Sequence, residues 1–216
     1  MKQITRFWNW FQKNEQEIIN AFFLGIGSDE VFPLFEKKLS SISKRIGFII
    51  KIPTGQEKHL IIFTCFGYRK LFPKIIALEK QAPPLEHFIA QAFLKPLDEL
   101  EKHKDGTDEP FFSDGYDIKI SDLQIALLDY NVTTKHLKIN LYLPHYNEIQ
   151  HFDSLESNIE WIVMFILGEI AFRKHLKEIH IDQLPFEAKG LLPLIELPYF
   201  IDYLYTINSR KKTRII

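Results

Sequence analysis

The chain writes one pattern twice: two apolar strands joined by a short turn, a helical stretch, then a third strand. The first copy covers residues 46–94 and the second residues 123–184. In the first, residues 46–52 and 59–66 have the β-branched and aromatic content of strands, with Pro53, Thr54 and Gly55 as the turn. Gly67 stops the second strand, and Leu71, Ile75, Ile76 and Leu78 follow at helical spacing. Pro83 and Pro84 end that helix, because proline cannot continue the hydrogen-bond ladder, and residues 87–94 return as a strand. The second copy places strands at 123–130 and 136–143, a helix from Ser154 to about His175, and a strand at 176–184. A strand–helix–strand crossover of this length implies parallel pairing. The expectation is an α+β fold in a single domain over residues 1–216. Both copies would join one mixed sheet with the helices packed on it.

The rest of the chain attaches to that frame. Ile4, Phe7, Trp8 and Phe11, then Ile18, Ile19, Phe22 and Phe23, recur at helical spacing until Gly25 and Gly27. Ser28 reads as the N-cap of a further helix carrying Val31, Phe35, Leu39 and Ile42, so residues 1–45 form an αα-hairpin. Residues 95–122 are an acidic connector with Asp98, Glu99, Glu101, Asp105, Asp108, Glu109, Asp114 and Asp117; lacking calcium-loop spacing, it reads as a solvated loop. Residues 185–216 are a C-terminal extension, helical after Pro198.

Composition narrows the function classes. With 19 Phe, 8 Tyr and 3 Trp against 2 Met, the core should be rich in rings and rigid. A net charge of -1 provides no field to gather nucleic acid or an anionic membrane. The basic run Arg210, Lys211, Lys212 and Arg214 stands against that background and argues little for nucleic acid. Cys65, the single cysteine, leaves no internal disulfide and fits a reducing compartment. Asn9, Gln12, Lys13 and Asn14 interrupt any apolar leader, and the apolar run at 161–167 falls well short of the roughly 20 residues a membrane span needs. The expected setting is cytoplasmic, without membrane attachment.

Several short motifs resemble an uncharacterised bacterial domain-of-unknown-function family. They are Phe7-Trp8-x-Trp10-Phe11 with Asn14-Glu15, Leu71-Phe72-Pro73 after Gly67, Gln81-Ala82-Pro83, Ala92-Phe93-x-x-Pro96 and Leu167-Gly168-Glu169. The resemblance covers roughly the first 185 residues and implies an α+β fold without an established activity. It supplies no catalytic residue, and residues 191–216 have no counterpart in it.

Candidate sites follow from side-chain chemistry. His145, Glu148, His151 and Asp153 share one loop before the long helix, and His175, Glu178, His180 and Asp182 follow it. A helix of that length rises roughly 30 Å, which places the two groups near opposite ends. Neither histidine pair has the one-turn spacing of a zinc site, so no metal or other cofactor is expected. Gly168 and Glu169 mark a tight helix contact, with Arg173 one turn on as an ion-pair partner for the carboxylate. Cys65 sits between a strand end and a helix start, where a thiolate would be stabilised, but Phe63 and Phe66 around it point to a buried thiol. Trp10 faces away from the Phe7, Trp8 and Phe11 stripe, and needs either another element over it or a contact surface. The balance favours a non-enzymatic protein-binding or regulatory module, inhibitor- or immunity-like, which engages another protein or itself through a sheet edge or the aromatic helix at Trp8 and Trp10. The alternative is a hydrolase using the loop of His145, His151 and Asp153 with Glu169 or Cys65.

Overall fold

The computed structural model describes residues 2–52, 57–97, 100–113 and 115–212. The turn at Pro53, Thr54 and Gly55, the acidic Asp98, Glu99 and Asp114, and Arg214 of the basic run lie outside the described residues. The fold is α+β. It divides into two compact units, Met1–Leu94 and Lys95–Ile216, each with its own apolar core.

The first unit contains α1 (Lys2–Lys13), α2 (Glu15–Leu24), α3 (Ser28–Ser40), β1 (Gly47–Lys51), β2 (His59–Thr64), α4 (Phe72–Lys80) and β3 (Phe88–Ala92). Three helices therefore stand where a two-helix hairpin was expected. The break is at Asn14, whose backbone leaves helical geometry and whose side-chain amide donates to the Trp10 carbonyl at 2.7 Å. Glu15, next in line, is buried, and its carboxylate accepts the backbone N–H groups of Glu86 (3.2 Å) and His87 (2.9 Å). That contact satisfies two donors just ahead of β3 and ties α2 to it. Ser28 is the first helical residue rather than the cap, which falls on Gly27 in a left-handed conformation.

β1 pairs antiparallel with β2, and β3 pairs parallel with β2 on its other side. Phe7, Trp8 and Phe11 of α1 meet Phe35, Phe63 and Phe88 edge to face, as in Trp8–Phe63 at 5.6 Å and Phe11–Phe88 at 5.2 Å. This is the ring-rich core that the composition implied. Such pairs add about 0.5–1.5 kcal/mol each beyond the area they bury.

The second unit contains β4 (Phe111–Ser113), β5 (Tyr116–Ile118), β6 (Gln124–Asn131), β7 (His136–Leu143), α5 (Tyr146–Ile149), α6 (Leu155–Leu167), α7 (Glu169–His175), β8 (Leu176–Gln183), β9 (Leu192–Pro193) and α8 (Leu197–Lys212). Its main sheet has the order β8-β7-β6-β9, and β4 with β5 makes a separate ribbon. β7 pairs antiparallel with β6 and parallel with β8. Alternation is clean along β7, with Leu137, Ile139, Leu141 and Leu143 buried. In β6 the register slips at Leu128, which is left without an opposing residue, so Tyr130 lies opposite Leu137 and packs on the core.

Three expectations are corrected here. The two copies do not share one mixed sheet; each third strand pairs with its own middle strand, and each unit buries its own apolar faces. The helix expected from Ser154 to His175 is two helices, broken at Gly168 with φ +73° and ψ 151°. The acidic connector is not simply solvated. Tyr116, Ile118 and Asp108 are buried, and the Asp108 carboxylate accepts from the Ile120 N–H at 2.9 Å. Burial works against its charge, but bonds from Ser121 and His103 outweigh that and hold its carboxyl below the ordinary value. Among the described residues, no helix is long and apolar enough to cross a membrane.

Candidate functional site beside an open sheet edge

β8 is the last strand of its sheet. One side pairs with β7, and among the described residues no strand pairs with the other. Its side chains alternate by face. Ile179 and Ile181 lie opposite Ile139 and Leu141 and pack on the core, while Glu178, His180 and Asp182 lie opposite Lys138, Asn140 and Tyr142. On the outer face, Lys138 Nζ meets Glu178 Oε2 at 2.7 Å, and His180 Nε2 meets Glu178 Oε1 at 2.8 Å. The Lys138 bond holds the Glu178 carboxyl below its usual range, and Glu178 raises the Lys138 ammonium in return.

A cleft of about 540 Å³ lies between this strand and α6. Ile179, His180 and Ile181 line it from the strand, with Tyr146 of α5 and Gln150 just after that helix. From the other side come Asp153, Glu156 and Glu160 with Leu155 and Ile159. Glu156 and Glu160, one turn apart, share a face of α6, and Asp153 lies just ahead of that helix. Among the described residues, no Lys or Arg lines the cleft. The result is a largely polar trough with an acidic rim, running beside a strand edge.

The residues singled out from the sequence scatter around this cleft. Asp153 lines it. His145 lines a separate hollow of about 270 Å³ with Asp117, Lys119 and Asp122, and sits 3.7 Å from Glu148. His151 is exposed and lies against the Phe152 ring at 4.2 Å. The expectation that the two polar groups sit near opposite ends of the helix holds for His175 and fails for His180. β8 runs back toward the start of α6, so His180 lines the same cleft as Asp153. Cys65 belongs to the first unit, is 1 % exposed, and its thiol donates to the Tyr68 carbonyl. Glu169 is 0 % exposed at the start of α7. Trp8 is 2 % exposed, with its indole N–H donating to the Leu78 carbonyl at 2.9 Å, so it is core and offers no contact surface. Trp10 is half-buried, covered by Phe35 at 5.8 Å; α3 is the element that its outward position required.

Glu156 and Glu160 were not among the residues singled out from the sequence. The signal for them was available: Asp153, Glu156 and Glu160 are spaced three and four residues apart around the start of a largely apolar helix. Among the described residues, no group of three or more His, Cys, Asp or Glu side chains is placed to hold a metal ion.

A second polar cluster fixes α8. His175 is buried at the end of α7, and its Nδ1 lies 3.3 Å from the Tyr205 hydroxyl. Lys135 lies 5.3 Å and Lys174 5.5 Å from the Tyr205 ring centroid. Burial pushes the imidazole below its ordinary value of 6.5, helped by Lys174 and His136 and opposed by Asp202 and a backbone bond with Lys135. Between the lowered folded value and 6.5, the unfolded chain binds a proton that the folded chain refuses. Stability is therefore complete above about pH 6.5 and is lost as pH falls below it. The expected result is a lower urea midpoint at about pH 5.5 than at about pH 7.5, with a smaller difference in His175→Gln. An unchanged difference in that variant would show that His175 does not carry the effect.

No protein-family model, no curated protein and no solved structure matches the chain.

Proposed function

We propose that the chain is a cytoplasmic protein-binding module, regulatory or inhibitor-like in role, which receives an extended segment of another protein along β8. The open edge of that strand beside the cleft carries this reading. Edge strands offer a row of unpaired backbone donors and acceptors, and recognition by strand addition uses them directly. Natural proteins usually blunt such edges by shortening, covering or interrupting them, or with charged side chains such as Lys177, Glu178 and Asp182 of β8. The opposite edge strand of this sheet, β9, has two residues, whereas β8 has eight and contains no proline. A long edge left open next to a trough is what a binding groove requires.

Hydrogen–deuterium exchange of the full chain, alone and with a partner captured from its native cells, tests this. Added protection at residues 176–183 is the expected result. A partner that protects other segments and leaves 176–183 unchanged refutes the reading.

A further inference from the structure

We infer that the segment taken up along β8 is basic, an extended strand with Lys or Arg at alternate positions. The inference rests on the strand-addition reading above and adds the chemistry of the occupant. A strand laid along β8 has backbone partners on one side and the side chains of α6 on the other. Its residues alternate between two faces, so every second side chain is offered to the trough. Asp153, Glu156 and Glu160 stand on its rim, and among the described residues His180 is the one lining residue able to carry positive charge. His180 already has a carboxylate partner in Glu178 at 2.8 Å, which itself meets Lys138. Three carboxylates with no lysine or arginine among the lining residues repel an acidic occupant and attract a cationic one. Ile179 and Ile181, half-buried on the strand, leave apolar surface for the methylene stems of Lys and Arg, whose charged ends then reach the rim. A purely apolar strand would fill the trough but leave three acids beside it without counter-charge.

Selection from a random peptide library displayed on phage, against the full chain and against an Asp153→Asn, Glu156→Gln, Glu160→Gln variant, decides the matter. Enriched peptides should carry Lys or Arg at alternate positions and protect residues 176–183 from exchange. Each neutralised rim carboxylate should weaken them about threefold, so the triple variant should bind roughly 10–30-fold more weakly. Binding should also fall with added salt. Neutral or acidic peptides that protect 176–183 equally in both proteins would overturn the basic-segment inference and leave strand addition standing. Basic peptides that bind without protecting 176–183 would overturn both. The substituted side chains are exposed or lie on the rim, and an unchanged denaturation midpoint confirms that the variant is folded.

Discussion

Gly168→Ala should strongly destabilise the second unit. Two independent costs meet at this residue. Its backbone, at φ +73° and ψ 151°, lies where L-residues almost never reside, which costs about 1–3 kcal/mol for any side chain. A methyl group there would also stand 2.7 Å from Pro96 Cδ and 2.8 Å from Pro96 N, and the second contact is with backbone that cannot swing aside. Overpacking of that kind adds about 1–3 kcal/mol. The total, about 2–6 kcal/mol, is a large share of the roughly 5–15 kcal/mol that holds a typical domain together. Gly190→Ala is the internal control. Gly190 also has a positive φ, +80°, but nothing lies within 4 Å of the added carbon. It should cost only about 1–2 kcal/mol for its conformation. Urea denaturation of both variants reads the difference, and equal midpoints would show that the Pro96 contact is slack. The contact closes the second unit, since Leu97 beyond Pro96 donates its N–H to Phe165 O at 3.1 Å, near the end of α6.

Trp8→Ala should destabilise the first unit by a comparable amount. The ring is among the largest fully buried groups in the chain, packed on Phe7, Phe11 and Phe63. Truncation of a buried aromatic to alanine costs about 3–5 kcal/mol, and the Leu78 carbonyl loses its 2.9 Å donor as well. Trp8→Phe separates the two effects. It keeps most of the ring volume but still strands the carbonyl, a loss of about 1–3 kcal/mol. Amide exchange at residues 61–63 in β2 should accelerate strongly in Trp8→Ala and moderately in Trp8→Phe. If both variants exchange like the parent, the indole neither packs nor bonds as described.

Periodicity made the elements legible and left their assembly obscure. The α+β class followed from apolar spacing alone, because strands and helices bury their faces at different periods. Partnering did not. Nothing local states whether residues 88–92 and 176–183 enter one sheet or two, since pairing depends on which core closes first around each middle strand. Asn14 was equally opaque, because a side-chain amide bonded to the Trp10 carbonyl breaks a helix that periodicity reads straight through. The cleft was half legible. Asp153 was singled out and the i, i+3, i+7 spacing was there to be read. His180 joined it only through the direction of β8, a property of the whole unit. The aromatic helix pointed the other way. Its rings looked like a surface to offer, but Phe35 of α3 closed over Trp10.

The slip at Leu128 has a consequence of its own. Without that residue, Ile125, Leu127 and Tyr130 fall at every second place, with Ile125 buried, Tyr130 packed on the core and Leu127 exposed between them. β6 thus carries one residue more than its ladder uses, and the surplus is shed to solvent, where Leu128 is 52 % exposed. A change of length in a strand normally turns everything downstream inside out. Here it is absorbed within one step, and Tyr130 still faces the same way as Ile125. β6 is a strand with slack built in, its one surplus residue absorbed before the ladder reaches the turn at Lys135.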